Sequence, residues 1–244
     1  MNTTIAMLTA RTLFGRRRAL LLLVLPGVLL ALSIVLRLAV QESSRADVTV
    51  GLLGTFAIAT VVPLLSLIAG TGALGGEIDD GSIVYLLSKP ISRHAIVVTK
   101  LLVAVAVTTV FGALPVLVSG WILVGGRDGL ALAYGLGAFA GGAAYCALFL
   151  LLSVLNRNAV VIGLIYTLVW ETAIGGLVLG AQGISIQQWA LAVTRAVVGG
   201  DAERLGITAA VRPQISVVML LVVVVGGTWL AGYRLRSIRL TSAE

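Results

Sequence analysis

The sequence predicts an all-α integral membrane fold in which six helices cross the bilayer and both chain ends lie in the cytoplasm. Three observations predict it. Hydrophobic residues make up 59% of the 244-residue chain against 11% charged, and the mean hydropathy is +1.10, far above what a soluble domain needs for one core. Apolar stretches of the roughly 20 residues that a helix needs to cross hydrocarbon recur at 19–38, 50–74, 95–124, 130–155, 159–181 and 215–233. Lysine and arginine are also unevenly placed. With the N-terminus inside, the cytoplasm receives Arg11, Arg16, Arg17, Arg18, Lys89, Arg93, Lys100, Arg157, Arg234, Arg236 and Arg239, leaving only Arg37, Arg45, Arg127, Arg195, Arg204 and Arg212 of the 17 basic residues outside. That bias in short loops is the one that orients membrane proteins.

In chain order, Ile5, Leu8 and Thr12 or Leu13 recur at helical spacing ahead of Gly15, so residues 1–18 read as an amphipathic helix on the cytoplasmic face. Arg16, Arg17 and Arg18 before an apolar run are signal-like, but 19–36 exceeds an ordinary signal core, and the run reads as a retained first span. Pro115 and Gly112 inside the third stretch predict a kink that neighbouring helices satisfy. Glycines four apart, Gly72 with Gly76, Gly137 with Gly141 and Gly176 with Gly180, are candidates for close helix contacts. Segment 182–213 is too broken in hydropathy to span. With Ile186, Trp189, Val193, Ala196 and Val197 among Gln187, Gln188 and Arg195, it reads as one or two short helices that lie at the outer face or dip back in from it, a tryptophan beside polar residues suiting an interface, followed by a polar turn through Gly199, Gly200 and Asp201.

The segment 76–94 is the most informative. Gly81 supplies a turn, Ser82 caps a new helix, Ile83, Leu86 and Leu87 share one of its faces, and Pro90 ends it. The product is a short, stiff cytoplasmic helix with an apolar ridge, a docking knob for a soluble partner. Glu77, Asp79 and Asp80 lie near Lys89, Arg93 and Lys100 in sequence and read as a solvated charge network rather than a cation site. His94 reads as an interface residue beside Arg93.

Several function classes are excluded. The net charge of +7 comes from dispersed arginines without a basic stripe and interleaved aromatics, which argues against nucleic acid. Cys146 and His94 are the only residues of their types, so neither an internal disulfide nor a Cys/His metal cluster can form; Cys146 reads as a small core residue. No internal repeat suggests an inverted-repeat transporter, and no nucleophile or metal constellation suggests an enzyme. A phosphate-binding loop needs glycines followed by lysine, and neither Lys89 nor Lys100 has one.

Glu171 stands about halfway along the fifth stretch, where an ionisable side chain costs roughly 3 kcal/mol or more. Its readings are a substrate contact, a proton-linked carboxylate, an anchor between spans, or a neutral carboxyl paired with a hydroxyl of Thr172, Tyr166 or Tyr145.

Glu77, then Gly81-Ser82, then the Leu86-Leu87-Ser88-Lys89-Pro90-Ile91-Ser92-Arg93 run, then Lys100 together resemble the loop of ABC-2 family permeases. In that pattern an acidic residue precedes Gly-Thr or Gly-Ser and a Leu-Leu-x-x-Pro-x-x-Arg run; Ser82 stands where threonine is common. The layout is similar throughout: an elbow helix, six spans, and short outer helices between the last two. The resemblance implies a coupling helix at 76–94 that docks an ATP-binding cassette subunit through Glu77, Gly81, Ser82, Ile83, Leu86, Leu87, Pro90 and Arg93. It also implies a permease dimer, with an identical or sister chain, bearing two such subunits in the plasma membrane. ATP and magnesium would bind to the partner and no cofactor to this chain, with alternating access driven by ATP. Apolar spans and low outer charge are compatible with export of a hydrophobic or amphipathic drug, antibiotic, lipid or peptide. The rival reading is a secondary transporter using Glu171 for proton coupling.

Overall fold

The computed structural model describes residues 8–9, 16–79, 92–126, 129–174 and 182–237, and within them every regular element is helical. The chain enters as α1 (Arg16–Ala39), turns through a short 3-10 helix (Glu42–Ser44) and continues as α2 (45–79). There follow α3 (93–124), α4 (Leu130–Leu155), α5 (159–174), α6 (Ile186–Val198) and α7 (Pro213–Ser237). Five helical segments, Leu20–Ala39, Glu42–Gly75, Arg93–Val124, Leu130–Leu155 and Pro213–Leu235, are long and apolar enough to cross a membrane; the apolar part of α5, Ala159–Glu171, is shorter. The rest of the expected fifth span, 175–181, lies outside the described residues, as do most of the N-terminal amphipathic segment and residues 80–91.

Three of these helices contain a stretch wound as π-helix: Leu52–Val61 in α2, Thr109–Ala113 in α3 and Tyr166–Ile174 in α5. The first two have a common cause. A helical proline lacks an N–H and its ring clashes with the carbonyl four residues earlier. Pro63 and Pro115 each follow the end of a π stretch by two residues, so the carbonyls they would strike, on Ala59 and Phe111, lie in widened turns. The expected disturbance at Pro115 is thus absorbed by a π segment that precedes it. The third stretch contains no proline and does contain Glu171.

α4 is the hub, packed against α2, α3, α6 and α7. Its buried residues run along its length, from Leu130 and Tyr134 through Tyr145, Cys146 and Phe149 to Ser153. By contrast, only 22% of the apolar window of α1 and of α7 is buried, against 67% for α2 and 56% for α4, so α1 and α7 turn rows of leucine and valine outward. That pattern suits a bundle bathed in lipid, where apolar surface carries no penalty and packing must come from close approach. Gly70 of α2 supplies such an approach: a Cβ there would stand 2.9 Å from the Cys146 carbonyl oxygen and 3.0 Å from Phe149 Cβ of α4. Of the glycine pairs expected from spacing, Gly137 and Gly141 both face α6, Gly72 is buried in α2, and Gly176 and Gly180 fall outside the described residues.

The helix ends are satisfied from within. Arg37 of α1 donates from Nη1 to the carbonyls of Ile122 (2.6 Å) and Leu123 (3.1 Å) in the last turn of α3, where carbonyls lack intrahelical donors and a cation suits the dipole. Gly125 and Gly129, at φ 68° and 63°, bracket the turn into α4 in a conformation that other residues rarely adopt. The α2–α4 crossing gives a direct test. Gly70→Ala is expected to lower the thermal midpoint of the purified protein, because overpacking against fixed backbone costs about 1–3 kcal/mol. Gly27→Ala on α1, where nothing lies within 4 Å of the added carbon, is expected to leave it unchanged.

Candidate functional site

The buried carboxylate of Glu171 organises the most polar part of the bundle interior. In the π-wound part of α5, residues five apart fall on one side, which brings the Tyr166 hydroxyl onto Glu171 Oε1 at 2.9 Å. The other donors come from the start of α6. Ser185, its N-cap, accepts from the Gln188 amide and donates its hydroxyl to Glu171 Oε2. The amide of Ile186 donates to Oε1 at 3.1 Å and that of Gln187 to Oε2 at 3.4 Å. Glu171 and Ser185 are both completely buried. Each carboxylate oxygen therefore takes two donors, and the first turn of α6 receives the acceptor that its unpaired amides require. Its oxygens also face the positive end of the helix dipole.

The depth of this site follows from its neighbours. Glu171 lies about three turns into α5, whose second half is π-wound and rises less than ~1.5 Å per residue, so it stands roughly 16 Å along the axis, about half of a ~30 Å hydrocarbon core. α6 runs antiparallel to α4: Ala190 meets Gly141, and one turn later Thr194 meets Gly137. So α6 begins deep in the bundle and rises toward the end of the molecule that carries the turn at Gly125 and Gly129. Trp189, expected at an interface, is 5% exposed and donates its indole N–H to the Gly183 carbonyl at 3.0 Å, locking the 3-10 turn Gln182–Ile184 to α6. The reason is local: the two glycines of α4 open a groove without Cβ atoms, and Ala190 fills it.

Of the hydroxyl partners expected for Glu171, Tyr166 is one, and the side chain of Thr172 is not described. Tyr145 of α4 stands beside Glu171 and the Gln187 amide, yet its buried hydroxyl has no hydrogen bond among the described residues. Its ring stacks on Phe149, with centroids 5.9 Å apart, and Phe149 meets Tyr166 edge-on at 6.3 Å. Ser185 and the α6 amides were missed in the sequence. The signal available for them was Ser185-x-x-Gln188, a helix-start pattern; here the Gln188 side chain accepts from the Ala210 amide rather than closing the box.

The second cluster braces the stems of 80–91. Of the expected docking residues, Gly81, Ser82, Ile83, Leu86, Leu87 and Pro90 lie outside the described residues, and Glu77 is helical at the end of α2 with its side chain undescribed. Arg93 opens α3 and donates from Nη1 to the Leu235 carbonyl of α7 at 2.6 Å. His94, expected at an interface, is half-buried against α7, its ring where a Cβ of Gly232 would stand. Lys100, counted above as a loop-end cation, is completely buried and donates to the Ala73 carbonyl of α2 at 2.6 Å. These contacts tie both stems of the segment to one another and to α7. Among the described residues no group of acidic, histidine and cysteine side chains is placed to hold a metal.

No curated protein matches the chain. A family model described as ABC-2 family transporter protein matches residues 4–230. With several membrane-capable helices and a match over nearly all of its length, the chain is a multi-pass membrane protein of the ABC-2 transporter family.

Proposed function

We propose that the chain is the permease subunit of an ATP-driven exporter, moving a hydrophobic or amphipathic substrate by alternating access. The observation that carries this reading is the family match over residues 4–230. The chain's own residues support the division of labour. Its two lysines lack the glycine-rich loop that holds nucleotide phosphates, and Lys100 is buried on a carbonyl of α2. ATP and magnesium therefore act on a separate ATP-binding cassette subunit, docked on 76–94 through the ridge of Ile83, Leu86 and Leu87.

The stems of that segment are the reason to place docking there. α2 ends at Asp79 and α3 begins at Arg93; Lys100 binds α3 to α2, and Arg93 binds it to α7. A push on the segment between them is delivered to three helices at once rather than lost in a loop. Two permease chains, identical or sister, bear two ATPase subunits, with lipid covering the outward apolar faces of α1 and α7. Both termini are cytoplasmic, following the distribution of lysine and arginine, and the membrane is the plasma membrane, as the family resemblance implies.

Glu171 enters this mechanism indirectly. Both of its oxygens are occupied by donors of the chain itself, so it binds α6 rather than substrate, and any influence on the path is through that helix. The same saturation weighs against the secondary-transporter reading.

Copurification of the tagged chain with an ATPase encoded beside it is expected to yield a complex that hydrolyses ATP, and Leu86→Asp/Leu87→Asp is expected to abolish the association. A wild-type chain that recruits no ATPase in any mild detergent overturns the permease reading. In proteoliposomes, transport is expected only with the ATPase and ATP present; transport driven by a pH gradient alone would favour proton coupling. Glu171→Gln is expected to alter transport while the copurified complex persists.

A further inference from the structure

Capping α3 uses only part of Arg37. Both hydrogens of Nη1 go to the carbonyls of Ile122 and Leu123, while Nε and Nη2 make no hydrogen bond among the described residues. Those two nitrogens form the edge of a guanidinium that presents parallel donors, the edge that grips a phosphate through two bonds at once. The caps on α3 hold this edge still. Arg45, in the first turn of α2, is held beside it: Nε donates to the Val40 carbonyl at 3.3 Å, Nη2 to the Arg37 carbonyl at 3.4 Å and Nη1 to Glu42 Oε1 at 2.8 Å.

The two arginines line a pocket of about 320 Å³ between the end of α1, the start of α2 and the end of α3. Gly125 and Gly126 form part of its wall and bring no side chain into it; nothing stands within 4 Å of a Cβ added at either. Among the described lining residues two cations meet one anion, Glu42, whose side chain is 72% exposed against 21% for Arg45. Solvent screens the anion more than the cation it faces, so the pocket attracts negative charge. Its level is that of the membrane boundary, since one apolar segment ends at Ala39 and the next begins at Glu42. Ile34, one turn farther into the membrane on the Arg37 side of α1, and Val35 beside it are exposed.

We propose that this pocket binds the phosphate of an acidic phospholipid. Nε and Nη2 of Arg37 take two phosphate oxygens, Arg45 adds its charge, and the acyl chains run along Ile34 and Val35. A zwitterionic headgroup brings a cation toward the two arginines and is disfavoured. Glu42 positions Arg45 and opposes the ligand's charge, so it holds the affinity down. The site depends on neither an ATPase nor transport.

The test is native mass spectrometry of the purified full chain in detergent, titrated with a short-chain phosphatidylglycerol and, separately, with phosphatidylcholine of the same chains. The wild type is expected to take up one phosphatidylglycerol in clear preference to phosphatidylcholine. Arg37→Gln is expected to weaken that adduct by about tenfold or more, through loss of two bonds to a charged group, and Arg45→Gln to weaken it as well. Glu42→Gln is expected to strengthen it by about two- to fivefold, a gain that misfolding cannot imitate. Arg212→Gln, in the separate pocket that Arg212 shares with Arg195, is expected to leave it unchanged, and inorganic phosphate equimolar with the lipid is expected not to displace it.

Equal binding of the two lipids overturns the proposal. So does an Arg212→Gln loss as large as that of Arg37→Gln, which would reduce the binding to general charge attraction, or a Glu42→Gln chain that binds no more tightly than wild type. Displacement by equimolar inorganic phosphate would make this a site for the free anion and overturns the lipid assignment. Should Arg37→Gln fail to fold for want of its caps on α3, Arg45→Gln and Glu42→Gln decide by their opposite signs.

Discussion

In hydrocarbon no water is available to a stranded amide, and the interior of this protein is arranged around that constraint. Its sharpest instance is the start of α6, where a helix opens inside the bundle and would leave its first N–H groups without acceptors. One glutamate resolves this. Glu171 is carried in from α5, its oxygens meet Tyr166, Ser185 and two backbone amides, and α6 is thereby fixed against α4. The expense of burying a carboxylate is offset by the donors and the helix dipole that meet it. The same rule accounts for Arg37 on the last carbonyls of α3, Lys100 on a carbonyl of α2 and Arg93 on a carbonyl of α7. Arg37 and Arg93 thus cap the last turns of helices other than their own, and Lys100 pins α3 to the side of α2.

This use of charge joins the two polar regions of the molecule. At one end, Arg93 and Lys100 bind the helices that flank 80–91 into a unit with α7. Deep in the bundle, Glu171 binds α6 to α5. α4 lies between, touching α2, α3, α6 and α7, so the braced stems and α6 are joined through directly packed helices.

How much of this was legible beforehand depended on whether a feature was local. The long helices followed from apolar length alone, and α1, α3, α4 and α7 start and stop within a few residues of the expected positions. Gly137 with Gly141 was recognisable as a contact because the spacing lies within one helix. The partners of Glu171 were legible only in part: Tyr166 is close in sequence, whereas Ser185 and the α6 amides reach it only after the chain has turned back. Lys100 was misjudged for a related reason. A lysine near a loop looks solvated in sequence, and only the packing of α2 shows it enclosed. Trp189 was misplaced because its neighbours Gln187 and Gln188 suggested a surface, while the groove that receives α6 belongs to a helix far away in the chain.

The π stretches ahead of Pro63 and Pro115 have a bearing on how the longest helices present themselves. An inserted residue in a helix turns everything beyond it by about 100°. The face that each rod turns to the bundle therefore shifts along its length. In α3 the shift separates two contact surfaces: Val97, Leu101, Ala104 and Val107 belong to one apolar cluster, and Ala113, Val116 and Leu123 belong to the other. In α2 the two interleave across the proline, Val61 joining Leu65, Ala69 and Ala73 while Val62 and Leu67 join Leu53, Ala57 and Ile58. Substitution can thus remodel one end of α3 without disturbing the packing of the other, whereas in α2 a change near Pro63 is felt by both clusters.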